Sequence, residues 1–275
     1  MKPIIVATDF SPVSLNAVNY AADLACAMNT NLVLLHVCPL PVSYVEVPFA
    51  ADSLTSMIKE AEERMLHLRR DLINRINDRI AIITEVKMGN VFEGIEEYSL
   101  TTAPYAIIMG TQGTGAMGKL FFGSNSIAAL KSLSWPLIVV PPEAKFKNIR
   151  KIGIACDLKK VVETAPVEQI KVLMSVFQAE LHVIHVNRES EKAYSAEIVE
   201  ESGLLQEMLE DLHPVYHFLN YVNIDEGLNE FSQKNDIDLL IIIPKKHNLI
   251  DKIFHKSHSK HLITHTHVPV MSVHE

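Results

Sequence analysis

The fold turns on the stretch Tyr105-Ala106-Ile107-Ile108-Met109-Gly110-Thr111-Gln112-Gly113, followed after nine residues by Gly123-Ser124. An apolar run feeds directly into glycines, and a helix-like segment from Asn125 to Leu133 comes next. A strand that opens through a glycine-rich loop into a helix is the building unit of a parallel α/β sheet. It is also a natural anion cradle. Glycines let the backbone approach a phosphate closely, and the free N–H groups of a helix start point toward it.

Two further phosphate patterns are spelled by the same letters, and context argues against both. Gly113-Thr114-Gly115-Ala116-Met117-Gly118 is a literal G-x-G-x-x-G. That fingerprint belongs in the first strand-to-helix turn, with an acid about 20 residues on. Here the loop comes late, and that distance lands near Ile138 in an apolar strand. Gly113 to Lys119 is a literal G-x-x-x-x-G-K, but Leu120 stands where a Walker loop needs Ser or Thr for magnesium.

Working outward, three more apolar runs and one short mixed stretch precede or follow the opening stretch in order. Ile4-Ile5-Val6-Ala7 runs into Thr8-Asp9, and Leu32-Val33-Leu34-Leu35-His36-Val37 follows. Lys87-Met88-Gly89-Asn90-Val91 is the mixed stretch, and Trp135-Pro136-Leu137-Ile138-Val139-Val140 closes the set. Between them, Ala17 to Met28 has apolar residues at helical spacing after a Ser11-Pro12 start signal. Ser53 to Ile76 reads as a long amphipathic helix rich in Glu and Arg. Nearly continuous apolar strands between helices imply a parallel sheet covered on both faces.

The second half repeats the first. Ile152-Gly153-Ile154-Ala155-Cys156-Asp157 matches Ile4 to Asp9, and Leu181 to Val186 matches Leu32 to Val37, His185 falling on His36. Gly227-Leu228 matches Gly94-Ile95, Leu240 to Ile243 matches Ala106 to Met109, and Val268 to Val273 matches Trp135 to Val140. A stretch with two prolines and mixed charge, Pro141 to Asn148, reads as the linker. The expected domains are 1–146 and 147–275.

Composition bounds the function. The 275 residues are 48% hydrophobic and 21% charged, enough for a sizeable core and against disorder. A net charge of −8 with no basic stripe argues against nucleic acid as a partner. Cys26, Cys38 and Cys156 lack metal or redox spacing and suit a reducing, cytoplasmic setting. No run reaches the ~20 apolar residues of a membrane span, so membrane insertion is not expected.

The spacing Gly-x2-Gly-x9-Gly-Ser resembles the ATP-binding signature of the universal stress proteins, and the strand runs quoted above resemble that family's strands in order. The resemblance implies two tandem, doubly wound, five-stranded parallel-sheet domains, Rossmann-like and of the adenine nucleotide alpha hydrolase type, paired as an internal pseudo-dimer. It implies ATP, with or without Mg2+, as ligand. Gly110, Gly113, Gly123, Ser124 and Asn125 would contact triphosphate and ribose. Asp9 and Val37 would face adenine, and Thr8 and Met109 would line the crevice. It implies a stress-response role through nucleotide-dependent contact with a protein partner, and leaves open a homodimer of the tandem chain.

The residues themselves keep other readings in view. Asp9 could be a helix N-cap before Ser11-Pro12, and Val37 a strand-end core residue. Lys119 reads as a solvated loop lysine before it reads as a phosphate clamp. No base and orienter pair commits the chain to catalysis, though slow ATP hydrolysis and a nucleotide-free scaffold are the alternative classes. In the second half the glycines are lost. Pro244 stands for Gly110, His247 for Gly113 and Lys256 for Gly123. ATP is therefore expected in the first half only. Seven of 13 histidines lie between His247 and His274. His258, His261 and His265 would share one helix face, but no carboxylate or cysteine completes a metal set.

Overall fold

The computed structural model describes residues 2–39, 51–111, 133–188, 195–243 and 266–273, with backbone only for 51–53. Two compact units divide the described chain, with the boundary between Leu137 and Ile138.

The first unit runs β1 (Ile4–Ala7), α1 (Pro12–Ala27), β2 (Leu32–Cys38), α2 (Ala51–Ile76), β3 (Ile82–Met88), α3 (Val91–Thr102) and β4 (Ala106–Gly110). Its strands lie in the order β3-β2-β1-β4, and all three pairings are parallel. Ile4 pairs with Leu32 on one side and Ala106 on the other. The chain thus lays strands outward from β1 in one direction, then returns to β1's other edge with β4. The expected α1 starts with Ser11 as its N-cap, its hydroxyl accepting from Ser14 N–H at 3.2 Å, and with Pro12 in the first turn. Asn90 caps α3 in the same way, accepting from Phe92 N–H at 2.8 Å. Every residue of β1 and β4 is buried, as two-sided cover requires.

β5 (Leu137–Val140) follows at the unit boundary. The second unit continues with β6 (Lys151–Ala155), α4 (Val161–Thr164), α5 (Val167–Phe177) and β7 (Glu180–Arg188). Then come α6 (Ala196–Met208), β8 (Val215–Tyr221), α7 (Ile224–Lys234), β9 (Leu239–Ile242) and β10 (Val270–Ser272). The strand order β8-β7-β6-β9-β10 copies that of the first unit and is parallel throughout. One difference is local. The first unit's single α1 is replaced by the short α4 and by α5, because Pro166 interrupts the helix. Ala165, the residue before it, is extended at ψ 124°, as a pre-proline residue prefers.

Strand alternation shows that α2 and α3 cover opposite faces of the first sheet. Val37 packs against α3, while the next residue back, His36, packs on Phe10 under Arg64 of α2.

Candidate functional site

The strand order reverses between β1 and β4, and ligands of open α/β sheets bind outside the strand carboxyl ends at such a point. The structure brings Thr8-Asp9, after β1, beside Met109-Gly110, at the end of β4.

The turn after β1 is tightly specified. Thr8 continues the ladder, its N–H donating to Leu35 O at 2.9 Å. Its buried hydroxyl lies 3.0 Å from Ser14 Oγ and accepts from Phe10 N–H at 3.1 Å. Asp9 is exposed, and its Oδ1 accepts from Ser11 N–H at 3.0 Å. The side chain folds back on the backbone two residues on, the Asx-turn geometry. Ser11, not Asp9, therefore caps α1. These bonds hold Phe10 at φ 64°, a left-handed conformation uncommon for an aromatic residue. Such outliers persist where their surroundings over-determine them.

His36 locks the turn from the next strand. Its Nδ1–H donates to Thr8 O at 2.7 Å, and its ring meets Phe10 at a centroid distance of 4.7 Å. Burial lowers the His36 pKa below the usual imidazole value, the Thr8 bond opposing and the Arg64 charge reinforcing that shift. A neutral imidazole donating from Nδ1 follows.

Val37 is buried, and its Cγ2 lies 2.9 Å from where a Cβ on Gly94 would stand. Its side chain is thus part of the α3 packing. Met109 is fully buried, so its side chain belongs to the core. Gly110 ends β4 where α1 begins. A Cβ there would stand 2.8 Å from the Val13 carbonyl oxygen. Gly113, Gly123, Ser124 and Asn125, with Lys119, lie outside the described residues.

The second unit repeats four of the turn's bonds, with Val162 standing where Ser14 supplies its hydroxyl in the first. Cys156 N–H donates to Ile184 O at 3.0 Å, and His185 Nδ1–H donates to Cys156 O at 3.0 Å. Leu158 N–H reaches Cys156 Sγ at 3.4 Å, Lys159 N–H reaches Asp157 Oδ1 at 3.2 Å, and Leu158 has φ 52°. At Gly227 a Cβ would stand 3.2 Å from Val186 Cγ1, but nearer still, at 2.9 Å, to the ring of Tyr221. What differs is the helix start. There Glu201 of α6 accepts from Val161 N–H at 2.7 Å.

Sequence reasoning overlooked Ser14, His36, Phe10 and Arg64 as parts of this site. The coincidence of His36 with His185 in the repeat was the available signal. Among the described residues no group of three or more His, Cys, Asp or Glu could hold a metal ion. No described helix is long and apolar enough to cross a membrane. His258, His261 and His265 lie outside the described residues.

Comparison with known proteins bears on both halves. The model of the "Universal stress protein family" matches residues 1–141 and again 148–274. A universal stress protein of Mycolicibacterium smegmatis is 26% identical over 140 residues, 50% of this chain and 47% of that protein. The chain thus spans about half the length of that relative. A universal stress protein of Thermus aquaticus is 26% identical over 139 residues, 50% of this chain and 98% of that protein. The crystal structure of a universal stress protein from Archaeoglobus fulgidus has the same fold, with TM-score 0.74 and 16% identity, covering 99% of this chain and 98% of the other.

Proposed function

The chain belongs to the universal stress protein family, and from that premise we propose that it binds an adenine nucleotide, ATP, in its first half. The observation that carries this reading is the meeting of Asp9 and Gly110 at the β1–β4 switch point, with Gly113 and Gly123-Ser124 following in sequence. A glycine-lined backbone beside a fixed acidic turn offers N–H donors to phosphate and an acceptor to a sugar or base. In this proposal Gly110, Gly113, Gly123, Ser124 and Asn125 serve the phosphates and ribose, and Asp9 with the Val37 strand end serves the base. Thr8 and Met109 act from beneath, holding the turn and the strand end. Mg2+ would enter, if at all, as the nucleotide's counter-ion.

The second half keeps the acidic turn but has Pro244, His247 and Lys256 for the three glycines. Proline lacks an N–H, and a residue with a Cβ does not allow the close backbone approach to phosphate that glycine does. Nucleotide binding is therefore assigned to the first half only. The domains are taken as 1–146 and 147–275, paired as a pseudo-dimer within one cytoplasmic chain. The cellular role is a stress response in which nucleotide occupancy governs contact with a protein partner.

The test is mass spectrometry of small molecules released from freshly purified protein, with Gly123→Lys as matched control. ATP at about one per chain, absent from the control, is the expected result for a single site. No nucleotide in either sample, together with failed titration by magnesium-ATP, would refute the reading.

A further inference from the structure

We propose that Arg64 is a specificity-determining residue of the first-half crevice, one that reads the negative charge of a phosphorylated ligand. This rests on the nucleotide reading above and names a residue that the glycine pattern does not include.

Three observations carry it. First, the guanidinium has a fixed seat at the site. Its Cζ lies 4.0 Å over the Phe10 ring. That ring is itself backed by His36 at 4.7 Å, which is tied to the Thr8 carbonyl. Phe10 directly follows Asp9, so the cation is held at the same turn as the exposed carboxylate. Second, no carboxylate among the described residues pairs with the cation. Glu60 stands one turn before it on α2, at the spacing that favours an ion pair. Yet none of the ion pairs among the described residues involves Arg64, and the residue is exposed. Third, the corresponding helix of the second half carries a carboxylate, not a guanidinium, to the start of the helix after the turn. There α6, the helix that follows β7, brings Glu201 onto Val161 N–H, at the start of α4, at 2.7 Å. The first half's turn meets a guanidinium, whereas the second half's helix start meets a carboxylate that already occupies a backbone donor.

The chemistry follows. A guanidinium stacked on an aromatic ring keeps its N–H edge free and directional, and it is weakly hydrated. It can therefore give a phosphate two parallel charge-assisted bonds. It would also offset the repulsion that Asp9 exerts on an incoming polyanion.

The experiment is calorimetric titration of the full chain with magnesium-ATP and with adenosine, at low and high salt, for wild type, Arg64→Gln and Arg64→Lys. For Arg64→Gln the expected result is roughly tenfold weaker ATP binding, adenosine affinity unchanged within about twofold, and a flatter salt dependence, as loss of one charge-assisted contact implies. Arg64→Lys keeps the salt dependence while losing part of the affinity. Arg64 is exposed, so the thermal midpoint of each variant should match wild type. Equal losses for ATP and adenosine, or an unchanged ATP affinity and salt slope in Arg64→Gln, would overturn the inference and leave the nucleotide reading standing. Failure of wild type to bind ATP would sink that reading itself.

Discussion

A Cβ placed on Gly110 would stand 2.8 Å from the carbonyl oxygen of Val13 and 2.9 Å from its Cγ1. The glycine at the end of β4 is therefore demanded by the approach of α1, whatever it also offers a ligand. Gly110→Ala must push a backbone carbonyl, which cannot rotate away, so a loss of about 1–3 kcal/mol in urea unfolding is expected. Gly203, inside α6, has nothing within 4 Å of its Cβ position. There Gly203→Ala should stabilise by roughly 0.5–1 kcal/mol. If the two substitutions had effects of the same sign, the packing argument would fail.

Val37 and Gly94 form a coupled pair. Gly94→Ala would place its Cβ 2.9 Å from Val37 Cγ2, and the β-branched side chain has little freedom to turn. In a Val37→Ala background the same change should cost much less. A double-mutant cycle should return a coupling of about 0.5–3 kcal/mol, as for residues in contact. Additive effects would argue against the contact.

Asp9 has two separable roles. Its Oδ1 holds Ser11 N–H, which an asparagine amide oxygen could do equally well. Asp9→Asn is expected to leave the thermal midpoint near wild type, while Asp9→Ala lowers it by the equivalent of about 1 kcal/mol. Under the proposed function both variants bind ATP more weakly. A loss of binding confined to Asp9→Ala would show that the carboxylate acts only through the turn.

The second unit carries a pH-sensitive contact. His182 Nδ1 and His217 Nε2 lie 3.0 Å apart in stacked rings, so one must donate and the other accept. Glu180 on β7 lies 3.6 Å from His182 Nε2, Lys151 on β6 adds a positive charge, and Phe231 of α7 covers His217 at 4.6 Å. Burial lowers both imidazoles below their usual pKa, with Glu180 opposing at His182 and the His182 charge reinforcing at His217. The unfolded chain then binds protons first. Stability is complete above an unfolded imidazole pKa of about 6.5 and falls as pH drops through the lowered folded values. Urea midpoints at pH 7.5 and 5.5 should show this loss, and His217→Gln should shrink it. An undiminished loss in that variant would assign the effect elsewhere.

Much of the fold was legible before any coordinates. The start of α1 at Ser11-Pro12 was written in a cap and a proline, and the reach of α2 to Ile76 in helical periodicity. The repeat that pairs His36 with His185 was visible as a register of letters. These are local or translational signals, and each needs only a few neighbouring residues. The break at Pro166 is equally local, since a proline halts a helix through its own ring and missing N–H. The seat of Arg64 on Phe10 was not legible, because it joins residues far apart along the chain through a left-handed turn that no periodicity announces.

By itself, then, the sequence determined the strands that recur in both halves, the helices α1 and α2, the tandem repeat, the acidic turns at Asp9 and Asp157, and the loss of three glycines from the second half. Tertiary structure alone decided that β1 lies beside β4, so that Asp9 and Gly110 meet. It alone decided that Gly110 yields to Val13 and Gly94 to Val37, that Arg64 seats on the first half's turn, and that Glu201 binds the helix start in the second. The physical reason is range. Propensity and patterning act over one or two turns of chain, whereas strand order and helix approach are set by hydrogen bonds and close packing between distant segments.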